Sequence, residues 1–341
     1  MIILAIETSC DETSASVLEN EKVLSNIISS QLYHSKFGGV VPEVASREHL
    51  KKITEITDEA LNKSGKKLKD LDLICATSEP GLIGALLIGL NFGKSLSAVL
   101  NIPFVPVNHI QAHLYSNFLC GQKAEFPFLG LIISGGHTLL ILVEDFFKHN
   151  IIGRTVDDAA GEASDKTAKL LGLEYPGGKQ IDENSKKGNK DFHKFPISHL
   201  KDNEFDFSFS GIKTSVLYFL RDIDYSNKKN DKLLFDICAS FQETMVKTLF
   251  DKTLKAAKKY KVKNIAISGG VSANSGLRER FCGLIEKGYK IYFPDTEYST
   301  DNAAMIGLTG YYKYKFSENK EYYRLESLSQ NASPRLNYSE F

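Results

Sequence analysis

One order of strands and helices occurs twice along this chain, and the repeat constrains the fold more than any other feature of the sequence. Apolar runs predict the first copy as strands at 2–7, 14–19 and 22–30, a helix at 45–64, a strand at 72–78, a helix at 81–99 and a strand at 103–107. The second copy has strands at 128–134, 138–144, 151–156, 264–269 and 290–293, with helices near 158–172, 211–222, 231–260 and from Asn274. The repeat predicts two like lobes of mixed sheet flanked by helices, with a ligand cleft between them.

The predicted lobes have these boundaries. The first takes residues 1–126 and about 302–325, because a last helix near 301–317 crosses back to it. The second takes residues 127–301 and carries a helical insertion. No linker rich in Pro, Gly or Ser divides the chain, which indicates closely packed lobes.

Composition indicates an ordinary globular protein of the cytoplasm. The 341 residues are 42% hydrophobic and carry zero formal net charge, whereas a protein that binds nucleic acid alone is usually basic. The cysteines are scattered without a paired motif, which predicts reduced thiols; they are Cys10, Cys75, Cys120, Cys238 and Cys282. The N-terminus lacks the pattern of a signal peptide, and the run GLIGALLIGLNF is too short to span a bilayer, so no membrane is expected.

The stretch NHIQAHLY contains two histidines, His109 and His113, at a spacing that places both on one helix face. Two imidazoles so placed can bind one metal ion. No glutamate accompanies them as a general base, since the residues between are Ile110, Gln111 and Ala112. The alternative is that both are merely exposed helix residues.

Four loops that follow strands carry polar or glycine residues suited to chemistry; they are 7–15, 133–138, 268–274 and 299–305. The two Gly-Gly pairs, in what are predicted to be equivalent places of the repeat, indicate a bound nucleotide, because glycine lets backbone N–H groups approach a phosphate.

The first loop contains two acidic residues, Asp11 and Glu12, which could also form no more than a solvated turn. Asp301 is predicted to be the N-cap of the last helix. The segment GLNFGKS has one residue too few for a P-loop and is interpreted as a buried helix.

Two charged regions have a plain structural interpretation. Asp158 and Glu162 are predicted to share a helix face, where crowding would raise the pKa of one of them. The lysine runs at 186–194 and 258–263 are most simply solvated, but they are the best local candidates for contacts with a phosphate backbone.

Ten motifs occur in order over residues 1–310: ETSCDETSA, GGVVPEVASREH, PGLIGALLIG, NHIQAHL, ISGGHT, DDAAGEASDK, YPGG, FSFSGIKT, SGGVSAN and STDNAAMIG. Together they closely resemble the bacterial type of the tRNA adenosine threonylcarbamoyltransferase family (TsaD, once called glycoprotease). The resemblance implies an α/β fold of the actin, Hsp70 and sugar-kinase group (ASKHA), with two ribonuclease-H-like lobes. The sequence departs from the family pattern at Glu79, Gln111 and Ser164.

The resemblance also implies an activity, a cofactor and partners. The reaction is transfer of a threonylcarbamoyl group from threonylcarbamoyl-AMP to the exocyclic amine of adenosine 37 in tRNAs that read codons starting with A. The cofactor is one divalent metal ion, iron or zinc. The partners are tRNA, a shorter paralogous subunit and a small P-loop ATPase; a tRNA surface shared with them would explain the zero net charge. An ATP-hydrolysing or sugar-kinase-like enzyme of the same fold group is the alternative.

Site residues follow from matched positions. The resemblance implies that His109, His113 and Asp301 bind the metal. Asp11, with Glu12, is our own candidate to orient or deprotonate the attacking amine, because it is a carboxylate on a hairpin tip that is predicted to face the cleft. The residues implied for the adenylate and threonyl parts of the substrate are Ile133, Ser134, Gly135, Gly136, His137, Asp165, Gly178, Asp182 and Asn274.

Overall fold

A computed structural model describes residues 1–31, 34, 39–119, 121, 123–198, 200 and 202–336. Gly38, the first residue of the motif GGVVPEVASREH, and Cys120, one of the five cysteines, lie outside this part of the chain. The other four cysteines are free thiols. The strands are β1 (Ile2–Glu7), β2 (Glu12–Glu19), β3 (Lys22–Ser30), β4 (Leu73–Glu79), β5 (Phe104–Asn108), β6 (Phe128–Ile133), β7 (Thr138–Asp145), β8 (Lys148–Arg154), β9 (Asn264–Ser268) and β10 (Lys290–Tyr292). The helices are α1 (Pro42–Ser64), α2 (Ile83–Leu100), α3 (His109–Tyr115), α4 (Ala160–Leu171), α5 (Gly177–Ser185), α6 (Ser210–Asp222), α7 (Tyr225–Lys228), α8 (Asp231–Tyr260), α9 (Ser275–Cys282) and α10 (Ala303–Phe316).

The two sheets have the same topology, which confirms the predicted repeat. The strand order is β3-β2-β1-β4-β5 in the first sheet and β8-β7-β6-β9-β10 in the second. In each sheet the first three strands pair antiparallel and the last two join in parallel. The central strands β1 and β6 are buried along their whole length because both faces of each sheet are covered, which explains their continuous apolar sequences.

The chain forms two compact units, residues 1–123 with 294–341 and residues 124–293. The first unit therefore begins again at Pro294, earlier than the expected boundary near 302. The reason is that the chain leaves the second sheet after β10 and the start of α10 joins the first sheet, where the Ala303 N–H donates to Ser14 Oγ at 2.9 Å. Asp301 consequently lies in the same unit as His109 and His113.

Local signals set the helix ends. Pro42 occupies the first turn of α1, so this helix begins three residues before the predicted start at Ala45. Gly65 ends it in the left-handed conformation with φ of 68°. The Asn230 side chain caps α8 by accepting from the Leu233 N–H at 3.0 Å, and α8 has the predicted bounds.

Helix α2 contains the segment that resembles a P-loop. Gly89 and Gly93 are helical and buried, and a Cβ at Gly93 would meet the Phe104 ring at 3.0 Å. The interpretation as a closely packed helix is confirmed. In the described part of the chain, α2 is also the one helix long and apolar enough to cross a membrane; core helices of soluble proteins meet the same criterion.

Candidate metal centre and active site

Strand β5 leads directly into helix α3, and this junction positions the two histidines. The Asn108 side chain caps α3 by accepting from the N–H groups of Ile110 and Gln111, at 2.9 and 3.1 Å. Asn108 in turn donates to Glu79 at 3.1 Å, so the residue that departs from the family pattern supports the cap. His109 and His113 then lie one turn apart on α3, with ring centroids 4.5 Å apart and planes at 81°.

Asp301 completes a cluster with the two histidines. Its Oδ1 lies 3.0 Å from His113 Nε2 and 3.4 Å from His109 Nε2. One ligand atom from each of the three residues falls within 4.8 Å of the others. His113 is fully buried, whereas the Asp301 side chain is 21% exposed. Two imidazoles and one carboxylate at these separations fit a divalent transition metal and leave coordination positions for another ligand.

The prediction that Asp301 caps α10 is wrong. The N-cap is Asn302, whose Oδ1 accepts from the Met305 N–H at 3.1 Å. The Asn302 amide also donates to the carbonyl oxygens of Thr300 and Tyr298, at 2.7 and 3.3 Å. These bonds fix the chain on both sides of Asp301 and leave its carboxylate free to face the histidines.

Glu7 is a residue of this site that sequence reasoning missed. It is fully buried, and its Oε2 lies 3.0 Å from His109 Nδ1. The Thr77 hydroxyl and the Ser9 N–H donate to the same carboxylate at 2.6 and 2.5 Å. An ionised carboxylate can only accept, so Nδ1 carries the hydrogen and Nε2 faces the metal position, as in carboxylate–histidine–metal arrangements. The available signal was an acidic residue that ends an apolar strand.

The charges of this cluster are strongly linked. Burial alone would lower the pKa of His109, but Asp301 and Glu7 outweigh it and raise this pKa well above its usual value. Burial and the charge of His109 lower the pKa of His113, which favours the neutral imidazole that a metal requires. The pKa values of Asp301 and Glu7 fall despite burial, chiefly through His109, so both carboxylates are ionised. The cluster therefore holds two carboxylate charges, that of the fully buried Glu7 and that of the partly exposed Asp301, on either side of His109.

Glu7→Gln is expected to weaken binding of Zn²⁺ or Co²⁺ about 10- to 100-fold, the usual cost of changing such a partner of a metal ligand. The glutamine amide would donate to His109 Nδ1 and favour the tautomer whose Nε2 carries a hydrogen and cannot bind metal. Competition with a chromophoric chelator measures the affinity. Ser9→Ala is the control, because it removes the other group near Nδ1, at 3.2 Å, and keeps Glu7. Equal affinities of Glu7→Gln and wild type would contradict this role.

The turn that carries Asp11 and Glu12 is firmly held within the first unit. The Leu82 N–H donates to the Ser9 carbonyl at 2.8 Å, and the Gln31 N–H donates to the Asp11 carbonyl at 3.1 Å. His49 bridges the Cys10 carbonyl and the Thr13 hydroxyl, at 2.9 and 2.8 Å. This buried histidine has a lowered pKa, mainly through burial. The turn is therefore a fixed platform rather than a solvated loop.

Glu12 lies in an environment that disfavours its charge. Burial raises its pKa well above the usual value, and the negative charges of Asp301 and Asp11 raise it further. A carboxyl group with a raised pKa is suited to donate a proton or hydrogen bond.

The predicted substrate loops lie together in the second unit. Turn 133–137 joins β6 to β7, and its ends are fixed by the Ser134 N–H, which donates to the His137 carbonyl at 2.8 Å. Gly135 and Gly136 are exposed, with no atom within 4 Å of a Cβ at either position, so their backbone is open to a ligand. Gly269 has φ of 86°, and a Cβ there would meet the Ile133 carbonyl at 2.5 Å, so only glycine allows this approach.

The two Gly-Gly loops do not occupy equivalent places of the repeat. They follow β6 and β9, which are neighbouring parallel strands of one sheet. The place in the first unit that corresponds to turn 133–137 is the turn after β1, which carries Asp11. The prediction of equivalence is wrong because it was based on glycine content, whereas strand order defines the correspondence.

The other predicted substrate residues also lie in the second unit, where each has a structural contact. Asp165 accepts from the N–H groups of Gly177 and Gly178 at 2.8 and 3.2 Å. Asp182 accepts from the Ser275 hydroxyl at 2.7 Å. Asn274 caps α9, accepting from the Leu277 N–H at 2.9 Å. These bonds join α4 to the start of α5, and α5 to the start of α9, and they orient the side chains.

The prediction of carboxylate crowding at Asp158 is wrong. Asp158 precedes α4, and burial alone would raise its pKa. Lys166 lies 2.7 Å and Lys213 3.4 Å from the carboxylate, and together they lower this pKa. Lys166 also pairs with Glu162 at 2.9 Å, so the predicted repulsion is replaced by a shared cation.

The sequence and the fold of this chain are similar to those of known proteins. The family model "TsaD: tRNA N6-adenosine threonylcarbamoyltransferase" matches residues 22–308. A protein of this name from Chlorobium phaeobacteroides (strain BS1) is 50% identical over 326 residues, which cover 92% of this chain and 93% of that protein. Another, from Clostridium perfringens (strain SM101), is 48% identical over 342 residues, covering 99% and 98%.

Solved structures with low sequence identity show the same fold. HypF of T. kodakarensis has a TM-score of 0.62 at 16% identity and matches 95% of this chain and 50% of its own. The activator of 2-hydroxyisocaproyl-CoA dehydratase from Clostridium difficile has a TM-score of 0.52 at 13% identity, with 92% and 96% covered. The predicted actin, Hsp70 and sugar-kinase type of fold is confirmed. On the match of its sequence over nearly the full length, this chain belongs to the tRNA N6-adenosine threonylcarbamoyltransferase (TsaD) family.

Proposed function

We propose that this chain is an acyltransferase that moves the threonylcarbamoyl group of threonylcarbamoyl-AMP to the exocyclic amine of adenosine 37 in tRNAs that read codons starting with A. The amine nitrogen attacks the carbamoyl carbon, the bond from this carbon to the phosphate oxygen breaks, and AMP leaves. The observation that carries the proposal is the His109, His113 and Asp301 cluster in a chain of this family. A non-catalytic scaffold protein of the same fold would have no use for these three residues together. The ATP-hydrolysing alternative is not favoured, since the relatives along the full length are named as transferases.

The three clustered residues would hold one divalent ion, iron or zinc. The donor set fits, because two imidazole nitrogens and a carboxylate oxygen converge, and Glu7 orients one imidazole. Such an ion polarises a carbonyl group and stabilises negative charge that develops on its oxygen. No activated water is required in an acyl transfer to an amine, which explains why the histidine motif lacks a glutamate base.

The remaining residues bind substrate and move the proton. The open backbone at Gly135 and Gly136 supports a role in binding the adenylate phosphate. Asp165, Gly178, Asp182 and Asn274 are proposed for the ribose and base. Asp11 is proposed to take the proton from the attacking amine, with Glu12 as a hydrogen-bond donor beside it.

Partners and location are proposed from the family and from surface composition. A shorter paralogous subunit would dock on α1 and α2, where Leu50 is 65%, Ile83 46% and Leu87 42% exposed. A small P-loop ATPase is the second protein partner, and the cytoplasm is the proposed compartment.

The proposed reaction is tested with the purified chain, both partner proteins, threonylcarbamoyl-AMP and a tRNA that reads codons starting with A. Mass spectrometry of the digested tRNA is expected to show threonylcarbamoyladenosine, with one AMP released for each adenosine modified. ATP hydrolysis without modified adenosine would contradict the proposal.

A further inference from the structure

Residues 186–194, here called the lysine loop, concentrate positive charge in a neutral chain. The sequence KKGNKDFHK contains four lysines and one aspartate, whereas the whole chain has a formal net charge of zero. The loop follows α5 in the second unit. A run of lysines is most often a solvated face, so the question is whether the structure gives this run a fixed and available form.

The backbone of the loop is anchored on helix α8. A Cβ at Gly188 would collide with the Phe235 carbonyl, so glycine allows the chain to lie against the helix. The Asn189 N–H donates to Asp236 Oδ1 at 2.7 Å, and the His193 N–H donates to Ser240 Oγ at 3.0 Å. Both anchors are buried, Asp236 at 6% exposure and Ser240 at 1%. The lysines are therefore presented from a fixed backbone, which reduces the entropy lost when a ligand binds.

Two lysines of the loop have free charges. Lys186 lies 3.3 Å from Asp182, and Lys187 lies over the Phe235 ring, 5.0 Å from its centroid. Lys190 and Lys194 are exposed, and neither has a hydrogen bond or ion pair within the described residues. Their ammonium groups are available to an external anion.

In the other lysine run, Lys258 and Lys261 are likewise exposed without a side-chain hydrogen bond or ion pair among the described residues, whereas Lys259 and Lys263 have partners. Lys259 and its neighbour Lys255 each lie 2.8 Å from the Glu204 carboxylate, which they share. Lys263 lies over the Tyr289 ring at 4.1 Å. Because Lys255 and Lys259 are both paired with Glu204, these two lysines provide a comparison of equal charge but lower availability.

An aromatic side chain lies within the lysine loop. Phe192 is 41% exposed, although its ring contacts Phe219 of α6 edge to face at 6.1 Å. The adjacent His193 ring covers Phe219, with centroids 4.1 Å apart. Phe192 is thus held by packing on one side and open to solvent on the other. Cationic side chains beside a fixed, open aromatic ring match single-stranded nucleic acid, whose bases stack on such rings.

We propose that the lysine loop is an RNA-contact surface of this chain, with Lys190 and Lys194 on tRNA phosphates and Phe192 against an unpaired base. The inference rests on the proposed function, which makes tRNA the acceptor substrate. It assigns the RNA contact to the lysine loop, because the exposed Phe192 ring lies in sequence between its two unpaired lysines.

The test compares two double variants. The loop variant carries Lys190→Gln and Lys194→Gln, and the control variant carries Lys255→Gln and Lys259→Gln. The two double variants remove the same charge. Binding of tRNA to the purified chain, alone and with its partner proteins, is measured by fluorescence anisotropy at several salt concentrations. The loop variant is expected to bind about 5- to 10-fold more weakly and to lower the slope of log K against log salt by roughly 1.5, since each phosphate contact contributes about 0.7 to 0.9. Phe192→Ala is expected to weaken binding without changing the slope.

Steady-state kinetics separates this inference from the proposed function. The loop variant is expected to raise the KM for tRNA and to keep kcat at saturating tRNA, because the loop contains none of the proposed catalytic residues. If the wild type formed no threonylcarbamoyladenosine, that result would contradict the proposed function itself. A wild type that modifies tRNA, with a loop variant of unchanged affinity and salt slope, would overturn only the loop assignment. An equal loss in the Lys255 and Lys259 variant, or a loss of protein-partner binding alone, would overturn it as well.

Discussion

His113→Ala is expected to abolish stable metal binding and to reduce threonylcarbamoyl transfer by more than about 100-fold. Changing a residue that only hydrogen-bonds to a metal ligand already lowers metal affinity about 10- to 100-fold, and losing a ligand itself is expected to cost more. His113 is fully buried and lies 3.0 Å from Asp301, so its loss removes one of the three converging ligands. Metal content by mass spectrometry of the purified protein and the rate of adenosine modification measure the two effects.

Two comparisons make the His113→Ala result specific. His149→Ala removes an imidazole from β8 of the second unit and is expected to leave metal content and transfer unchanged. Thermal unfolding of the metal-free proteins shows whether His113→Ala still folds. A folded His113→Ala variant that retains a full equivalent of metal would contradict the assignment of the ligands.

Asp11→Ala is expected to lower the rate of transfer by about 10²- to 10⁴-fold, the usual contribution of a general base, while metal content stays at the wild-type level. The turn that holds Asp11 is fixed by the Leu82 and Gln31 N–H groups and by His49, so the backbone is expected to keep its form without the carboxylate. Single-turnover formation of modified adenosine at saturating tRNA and donor isolates the chemical step.

Glu12→Gln is the matched control for Asp11. The raised pKa of Glu12 favours a neutral carboxyl group, which a glutamine amide imitates in size and in its ability to donate a hydrogen bond. We therefore expect Glu12→Gln to retain much more activity than Asp11→Ala. Wild-type single-turnover rates in Asp11→Ala would remove Asp11 from the mechanism, and a larger loss in Glu12→Gln would exchange the roles of the two residues.

Hydrophobic periodicity was sufficient to predict the repeated order of strands and helices, since it is a local property of the chain, whereas the type of fold was implied by the family resemblance. The continuous apolar runs at β1 and β6 result from burial on both faces of each sheet. These two runs mark the first strand of each copy of the repeat. Helix ends were less predictable where a proline or a cap decides them. Asn302 rather than Asp301 caps α10, because the two neighbouring residues are equally suited in sequence and only the backbone path selects one.

Contacts between distant residues could not be predicted from the sequence. Glu7 acts on His109 from 102 positions away, and its neighbours in sequence give no sign of that contact. Asp158 was expected to be crowded by Glu162, but Lys213, 55 positions further along, supplies charge that local spacing does not show. The histidine pair was visible because both residues lie on one short helix, whereas its third partner was supplied by a family resemblance.

Modification of tRNA by metal-depleted and metal-reloaded protein is the most direct test of a metal-dependent acyl transfer at His109, His113 and Asp301. The purified chain is treated with a chelator, divided, and reloaded with Fe²⁺ or Zn²⁺, and each sample is mixed with its partner proteins, threonylcarbamoyl-AMP and tRNA. Threonylcarbamoyladenosine, counted by mass spectrometry, is expected to disappear on depletion, to return on reloading, and to stay absent in reloaded His109→Ala. Full modification by the depleted protein, or by His109→Ala, would contradict the metal's part in the reaction.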